Sequence, residues 1–331
     1  MGQYYQTLVL GSIMSLQNSP SPEAANNRIG LGITLMVLSL CLFVSMDALI
    51  KHLTLGGYTT FQILFFRNAV AFIPIGLLVM QQGGIASLAT KRPLGHLVRS
   101  LVGLTAMGGF FYSLRALAVS DLVAISFAAP LFMTALSVPL LKERVGVRRW
   151  VAVIIGFVGV LVMVKPSANI EFASLIALGA TVFYALAMIA VRNLSKTETS
   201  AAIVFYFTVV GTVVSGILML THWETPDLNG LLLLIAVGLI GGTAQIVMTA
   251  AIKSAPIAIL APFEYTALLW ATGFDIVIWN VFPAPNTLWG AAIVAATGLY
   301  IVHRETRLNV RARFPARFSR IRVSSAERDE R

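Results

Sequence analysis

At 331 residues, with 57% apolar and only 11% charged side chains, the chain is far more apolar than a soluble domain, in which about half the residues are apolar and about a quarter charged. Division into soluble domains by length is therefore excluded. The net charge of +10 would suit nucleic acid, but the basic residues are distributed as in a membrane protein, and the single Cys41, inside the first apolar run, excludes a disulfide framework or a cysteine-based metal site.

The chain opens with an extension, 1–28, read as flexible and cytoplasmic. Met1–Asn27 contains no Lys or Arg, so it lacks the basic start of a signal peptide. Gln6 stands where a myristoylation motif needs Ser or Thr. Met14 is an alternative start to Met1.

Apolar runs then follow at 29–51, 61–81, 95–115, 122–141, 148–164, 172–192, 199–220, 228–250, 257–279 and 286–303. A helical span needs about 20 mostly apolar residues, so these predict ten transmembrane helices. Gly56-Gly57, Gln81-Gln82-Gly83-Gly84, Pro93, Pro166, Pro226, Pro256, Pro283 and Pro285 mark gaps between them. With the N-terminus inside, the inner gaps and the tail hold 20 of the 24 Lys and Arg, and the outer side holds only Lys51, Arg67, Arg115 and Lys165. That asymmetry predicts two cytoplasmic termini. The tail, 304–331, carries nine Arg, with Val310, Phe314, Phe318 and Ile321 at spacings of three or four. An interfacial amphipathic helix and a disordered basic tail both fit it.

The two halves repeat. Ala124 to Pro130, Leu141-Lys142-Glu143-Arg144, Trp150 and Gly156-Phe-Val-Gly159 in the first are matched by Pro262-Phe263-Glu264-Tyr265, Trp279 to Pro283, Trp289-Gly290 and Thr297-Gly298 in the second. Five spans per half force the copies into opposite orientation. The fold class expected is all-α integral membrane, with two inverted five-helix repeats at 29–165 and 172–303, an architecture that places a binding site near the bilayer midplane between repeats.

Asp47-Ala-Leu-Ile-Lys51, Gln62 to Arg67, Leu141-Lys-Glu-Arg-Val145, Pro262-Phe-Glu-Tyr265 and Gly298-Leu-Tyr-Ile301, in this order over about 29–305, resemble the ten-span drug/metabolite transporter superfamily in its EamA-type branch. Val281 stands where that family often has a second Glu equivalent to Glu143. The resemblance implies a secondary carrier of the plasma (bacterial inner) membrane, with similarity both to riboflavin and S-adenosylmethionine uptake carriers and to amino-acid and metabolite exporters.

Ionisable groups inside a span usually face the bundle interior, because lipid exposure at the helix centre costs about 2.5–3.5 kcal/mol on insertion scales. Asp47, Arg67, Arg115 and Asp275 fall near the outer ends of their spans. They are candidates either for gating or for interfacial charge pairing, Asp47 with Lys51 or with Arg67. Glu264 lies about seven residues inside the ninth span, after Pro262, which frees a backbone carbonyl. It is the candidate cavity carboxylate for a cationic group or a proton, against a packing role. Tyr265, Tyr184 with Phe183, Gln245, Phe110, Phe111, Tyr112 and Trp270 are candidate lining for a flat or mixed ligand. Pro130 and Pro139 in the fourth span suit a kink, and Gly103, Gly108-Gly109, Gly238 and Gly241-Gly242 suit close helix approach.

No phosphate-binding G-x-x-x-x-G-K-[ST] loop occurs. His222 and Asp227 match the H-x-x-x-x-D spacing of some acyltransferases, although Asp227 is also placed to cap the eighth span. The expected function is therefore a carrier of a small metabolite rather than an enzyme, driven by its substrate gradient or by protons. It needs no cofactor, metal or nucleic acid, sits in a lipid bilayer, and works as a monomer or homodimer. A membrane acyltransferase is the alternative of another class.

Overall fold

The computed structural model describes residues 22–141, 147–164, 172–255 and 257–313. The Met1 or Met14 start, Glu143 and its basic loop, and the tail positions Phe314, Phe318 and Ile321 lie outside them.

The described residues form twelve α-helices: α1 Pro22–Leu55, α2 Thr60–Gln81, α3 Pro93–Ser113, α4 Val119–Ser126, α5 Ala129–Leu141, α6 Val147–Val164, α7 Phe172–Leu194, α8 Ser200–Met219, α9 Leu228–Ser254, α10 Ile257–Glu264, α11 Thr266–Trp279 and α12 Pro285–Arg313. They make ten spans, because the fourth (α4 and α5) and the ninth (α10 and α11) are each broken in the middle. Seven stretches are long and apolar enough to cross a bilayer, and the shorter apolar helices Trp150–Met163 and Thr266–Trp279 join them.

Helix boundaries follow local chemistry. Thr59 and Thr199 occupy equivalent positions in the two halves. Each hydroxyl accepts a backbone N–H of the first turn, from Gln62 at 3.3 Å and from Ala202 at 3.0 Å. Gly83 and Gly84 end the turn after α2 with φ of 107° and 67°, which a side chain would resist. Pro22 opens α1 seven residues before the predicted span, and α12 runs ten residues past the predicted end at 303. Hydropathy marks only the lipid-crossing part of a helix, whereas its hydrogen-bond ladder continues into polar sequence.

The packing pattern is that of an inverted repeat. α1 packs on α9 as α3 packs on α7; α2 packs on α9 as α3 packs on α8; α11 packs on α1 as α5 packs on α7. The pairs α2 with α8 and α6 with α12 map onto themselves. Nearly all these interfaces join one half to the other, so neither half buries its inward faces alone. Leu53, Ile63, Leu114 and Leu234, drawn from both halves, sit in one shared core.

Between lipid-solvated helices the hydrophobic effect supplies little, and close backbone approach supplies most of the attraction. A Cβ on Gly238 would lie 2.5 Å from Val70 Cβ and 2.8 Å from the Phe66 carbonyl oxygen; one on Gly109 would lie 2.8 Å from Ala180 Cβ. The Phe66 oxygen is backbone and cannot swing aside. Gly238→Ala is therefore expected to destabilise by about 1–3 kcal/mol, read as a lower melting midpoint in detergent. Gly179→Ala, where nothing lies within 4 Å, should be neutral or slightly stabilising, since Ala is the better helix former. Equal effects at the two sites would refute the close-packing role of Gly238.

One end of the bundle carries Lys91, Arg92, Arg192 and Lys196 and is called the basic end below. There His96 Nε2 meets Glu198 Oε2 at 3.3 Å, with both side chains buried. Burial alone would push the Glu198 carboxyl up. Hydrogen bonds with Thr90, His96 and the Lys91 backbone outweigh it and hold the carboxyl below its ordinary value of 4.5. A lowered folded-state value contributes stability that is present above about pH 4.5 and lost as pH falls through the lower folded value. The wild-type melting midpoint should therefore fall on acidification below about pH 4.5, and Glu198→Gln should flatten that fall. An unchanged profile in the variant would show that other carboxylates govern it.

Candidate substrate-binding site

Both helix breaks face the middle of the bundle. α4 ends near Phe127, whose N–H donates to the Val123 and Ala124 carbonyls, and Pro130 then enters the first turn of α5, where a missing N–H costs nothing. α10 ends at Glu264, two residues after Pro262, and α11 restarts at Thr266. The rings at the two breaks, Phe127 and Tyr265, meet edge to face at 4.8 Å between centroids. Positions 130 and 262 thus interrupt equivalent spans of the two halves, and the interruptions touch.

Six polar side chains from five helices form a chain of electrostatic neighbours that ends at this junction. Arg67 on α2 is in electrostatic reach of Asp47 on α1. Arg99 on α3 is in reach of Arg67 and of Tyr184 on α7. Tyr184 is in reach of Glu264 at the end of α10, which is in turn in reach of Tyr265. Tyr184 lies deep in the bundle yet is 37% exposed, and Glu264 is likewise accessible. Tyr184 and Glu264 thus leave part of the cluster open, while Arg67 is buried beside them.

Aromatic rings form its apolar walls. Phe207 on α8 lies beneath both guanidiniums, 4.1 Å from Arg99 Cζ and 6.0 Å from Arg67 Cζ. Phe110 meets Tyr184 at 6.4 Å. Gly103 keeps this wall close, since a Cβ there would lie 3.1 Å from the Phe207 ring and 3.7 Å from Arg99 Nη1. The Tyr265 hydroxyl lies against Gly298, where a Cβ would clash with it. Two apolar grooves of about 480 and 420 Å³ lie elsewhere, and none of the six polar residues lines either one.

The structure thus brings together Glu264, Tyr265, Tyr184, Asp47 and Arg67. Asp47 and Arg67 are in electrostatic reach of each other within this cluster. Lys51 does not pair with Asp47. Its Nζ lies 3.7 Å from Asp275 Oδ1 and 4.6 Å from the Trp279 ring centroid. Asp275 is completely buried and also accepts the Val119 and Ser120 N–H groups at 3.0 and 2.7 Å, capping α4 from the other half of the chain. Arg115 is exposed on the turn after α3, apart from the cluster. Gln245 is half-buried on α9, one turn beyond Gly241, which abuts Arg67.

Phe111 is buried in the apolar core, and Tyr112 and Trp270 are 46% and 39% exposed. A step of one residue turns a helix by about 100°, so Phe110 rather than Phe111 reaches Tyr184. Arg99, Phe127 and Phe207 are not among the sequence candidates. The inner-side count of basic residues takes in Arg99, although it lies six positions past Pro93, the start of α3.

The acyltransferase spacing does not form a catalytic pair. Asp227 accepts the Gly230 N–H at 2.8 Å as the N-cap of α9 and the Tyr58 hydroxyl at 3.2 Å, while His222 Nδ1 contacts Thr221 Oγ1 at 2.9 Å.

The EamA-like transporter family pattern matches residues 30–165 and again 171–303. The chain belongs to the EamA-like transporter family. An S-adenosylmethionine uptake transporter of Rickettsia bellii is 30% identical over 280 residues, covering 84% of this chain and 95% of the relative. The pseudopaline exporter CntI of Pseudomonas aeruginosa is 29% identical over 266 residues, covering 80% of this chain and 93% of that one. A solved crystal structure, 16% identical, superposes with a TM-score of 0.59 over 85% of this chain and 99% of its own, which shows a shared fold. This EamA-like protein is an integral membrane transporter of a small molecule, not an enzyme.

Proposed function

We propose that this transporter carries a cationic, S-adenosylmethionine-like metabolite across the plasma (inner) membrane by alternating access. The observation that supports it most is the cluster of charged and aromatic side chains, with Tyr184 and Glu264 accessible, that ends at the meeting of the two broken spans. Glu264, accessible and deep, binds the cationic group, with the rings of Tyr184, Tyr265, Phe110 and Phe127 beside the flat portion. The two halves rock about the cavity, and the breaks at Phe127 and Tyr265 are where the spans bend. The basic end faces the cytoplasm, as the Lys and Arg distribution requires, so both termini are inside. Ten spans enclose the cavity in one copy, so a monomer suffices.

Export is the second reading, favoured by the similarity to CntI. A test in proteoliposomes separates the readings. Labelled S-adenosylmethionine should enter faster when unlabelled compound is trapped inside, because exchange bypasses the return of the empty carrier. Counterflow by a different class of metabolite, with none for S-adenosylmethionine, would sink the substrate assignment but not carriage. Directional inside-out transport in cells would favour export.

A further inference from the structure

We propose that Arg99 and Arg67, held over Phe207, form a carboxylate-binding subsite, so that the transported metabolite carries a carboxylate as well as a cationic group. The proposal rests on the cavity being the transport site. Arg67 is 7% exposed, and its Nε has no hydrogen-bond partner; Nη1 reaches only Asn68 Oδ1, at 3.3 Å. Arg99 Nε and Nη1 are also buried without partners.

Among the described residues neither guanidinium has a carboxylate within 4.0 Å, unlike Lys51, which pairs with Asp275, and His96, which pairs with Glu198. Two like charges are thus held in electrostatic reach of each other, with an aromatic face on one side and unmet donors. Buried polar groups are ordinarily satisfied, and intramembrane charges mark substrate pathways.

The donors suit one anion class. A guanidinium presents a planar fork that matches a carboxylate with two parallel bonds, and a modest torsional swing of either long side chain turns that fork into the cavity. Phe207 offers an aromatic face to both groups, 4.1 Å from Arg99 Cζ and 6.0 Å from Arg67 Cζ. Asp47 is in electrostatic reach of Arg67, Arg67 of Arg99, Arg99 of Tyr184, and Tyr184 of Glu264. A ligand with its carboxylate at the arginines and its cation toward Glu264 is therefore aligned with the protein's own charges, and a simple cation is not.

The test measures binding of S-adenosylmethionine and of decarboxylated S-adenosylmethionine, which keeps the sulfonium and lacks the carboxylate. Wild type and the variants Arg99→Gln, Arg99→Lys and Arg67→Gln are compared, each checked for unaltered melting without ligand. Wild type should prefer the carboxylate compound roughly tenfold or more, as expected for a hydrogen bond to a charged group. Arg99→Gln should remove that preference, weakening S-adenosylmethionine relative to the decarboxylated compound by the wild-type ratio, and Arg99→Lys should restore only part of it.

Equal wild-type affinity for the two compounds would overturn the subsite and leave the transport reading standing. If neither binds, α-amino acids against their corresponding amines decide. Discrimination that Arg99→Gln abolishes keeps the subsite and discards S-adenosylmethionine. The proposal is overturned if no carboxylate, acetate included, stabilises the wild-type protein against melting. Should the Arg99 variants fail to fold, the wild-type comparison and Arg67→Gln decide alone.

Discussion

Glu264→Gln is expected to lower transport roughly tenfold or more without lowering the melting midpoint. Gln keeps the shape of the side chain and removes its charge. A hydrogen bond to a charged group contributes about 1.5–3 kcal/mol, so losing one to a cationic substrate corresponds to about 10- to 150-fold in affinity. Stability should stay level or rise, because Glu264 has phenols, Tyr184 and Tyr265, as electrostatic partners rather than a cation whose charge it would leave uncompensated. Concentration-dependent uptake in proteoliposomes, paired with melting in detergent, separates the outcomes. Unaltered transport would remove Glu264 from the substrate path. A large fall in melting midpoint would assign it to packing.

Asp275→Ala should act in the opposite way, through stability. Asp275 is 0% exposed and joins three partners from two other helices: Lys51 Nζ and the Val119 and Ser120 N–H groups. Removing one member of a buried pair leaves the other charge uncompensated and costs about 3–5 kcal/mol. Here two N–H donors at the start of α4 lose their acceptor as well. Asp275→Asn should cost less, since its amide oxygen still accepts from one donor. The double variant Lys51→Met with Asp275→Leu should be less destabilised than Asp275→Ala, because the orphaned ammonium is gone. Denaturant titration in mixed micelles reads all three. A loss below about 1 kcal/mol in Asp275→Ala would show that the cap and ion pair do not hold α4 against α1 and α11. Transport by the folded fraction should persist, which separates this anchor from the cavity residues.

Much of this architecture is legible from local sequence. Apolar runs locate the spans because the bilayer requires about 20 apolar residues irrespective of neighbours. The threonines at 59 and 199 cap helices through their own next residues, and Asp227 caps α9 for the same local reason. Glu264 stands out because a carboxylate seven residues into a span is expensive unless a cavity receives it.

What was not legible depends on contacts between halves. Asp275 reads as a gate candidate because it lies near a span end, and only the fold brings it to Val119, 156 positions earlier. Arg99 reads as a loop charge because hydropathy does not say which way a long side chain turns. Its ring partner, Phe207, comes from the other repeat. Phe110 and Phe111 are neighbours in sequence, and helix rotation alone sends one to Tyr184 and the other to the core.

The sequence by itself determined the ten spans, their inversion and the charge asymmetry, because lipid imposes these span by span. The tertiary structure decided which charges meet. An inverted repeat packs helix against helix across its halves, so Asp47, Arg67, Arg99, Tyr184 and Glu264 share one space although no two of them share a span.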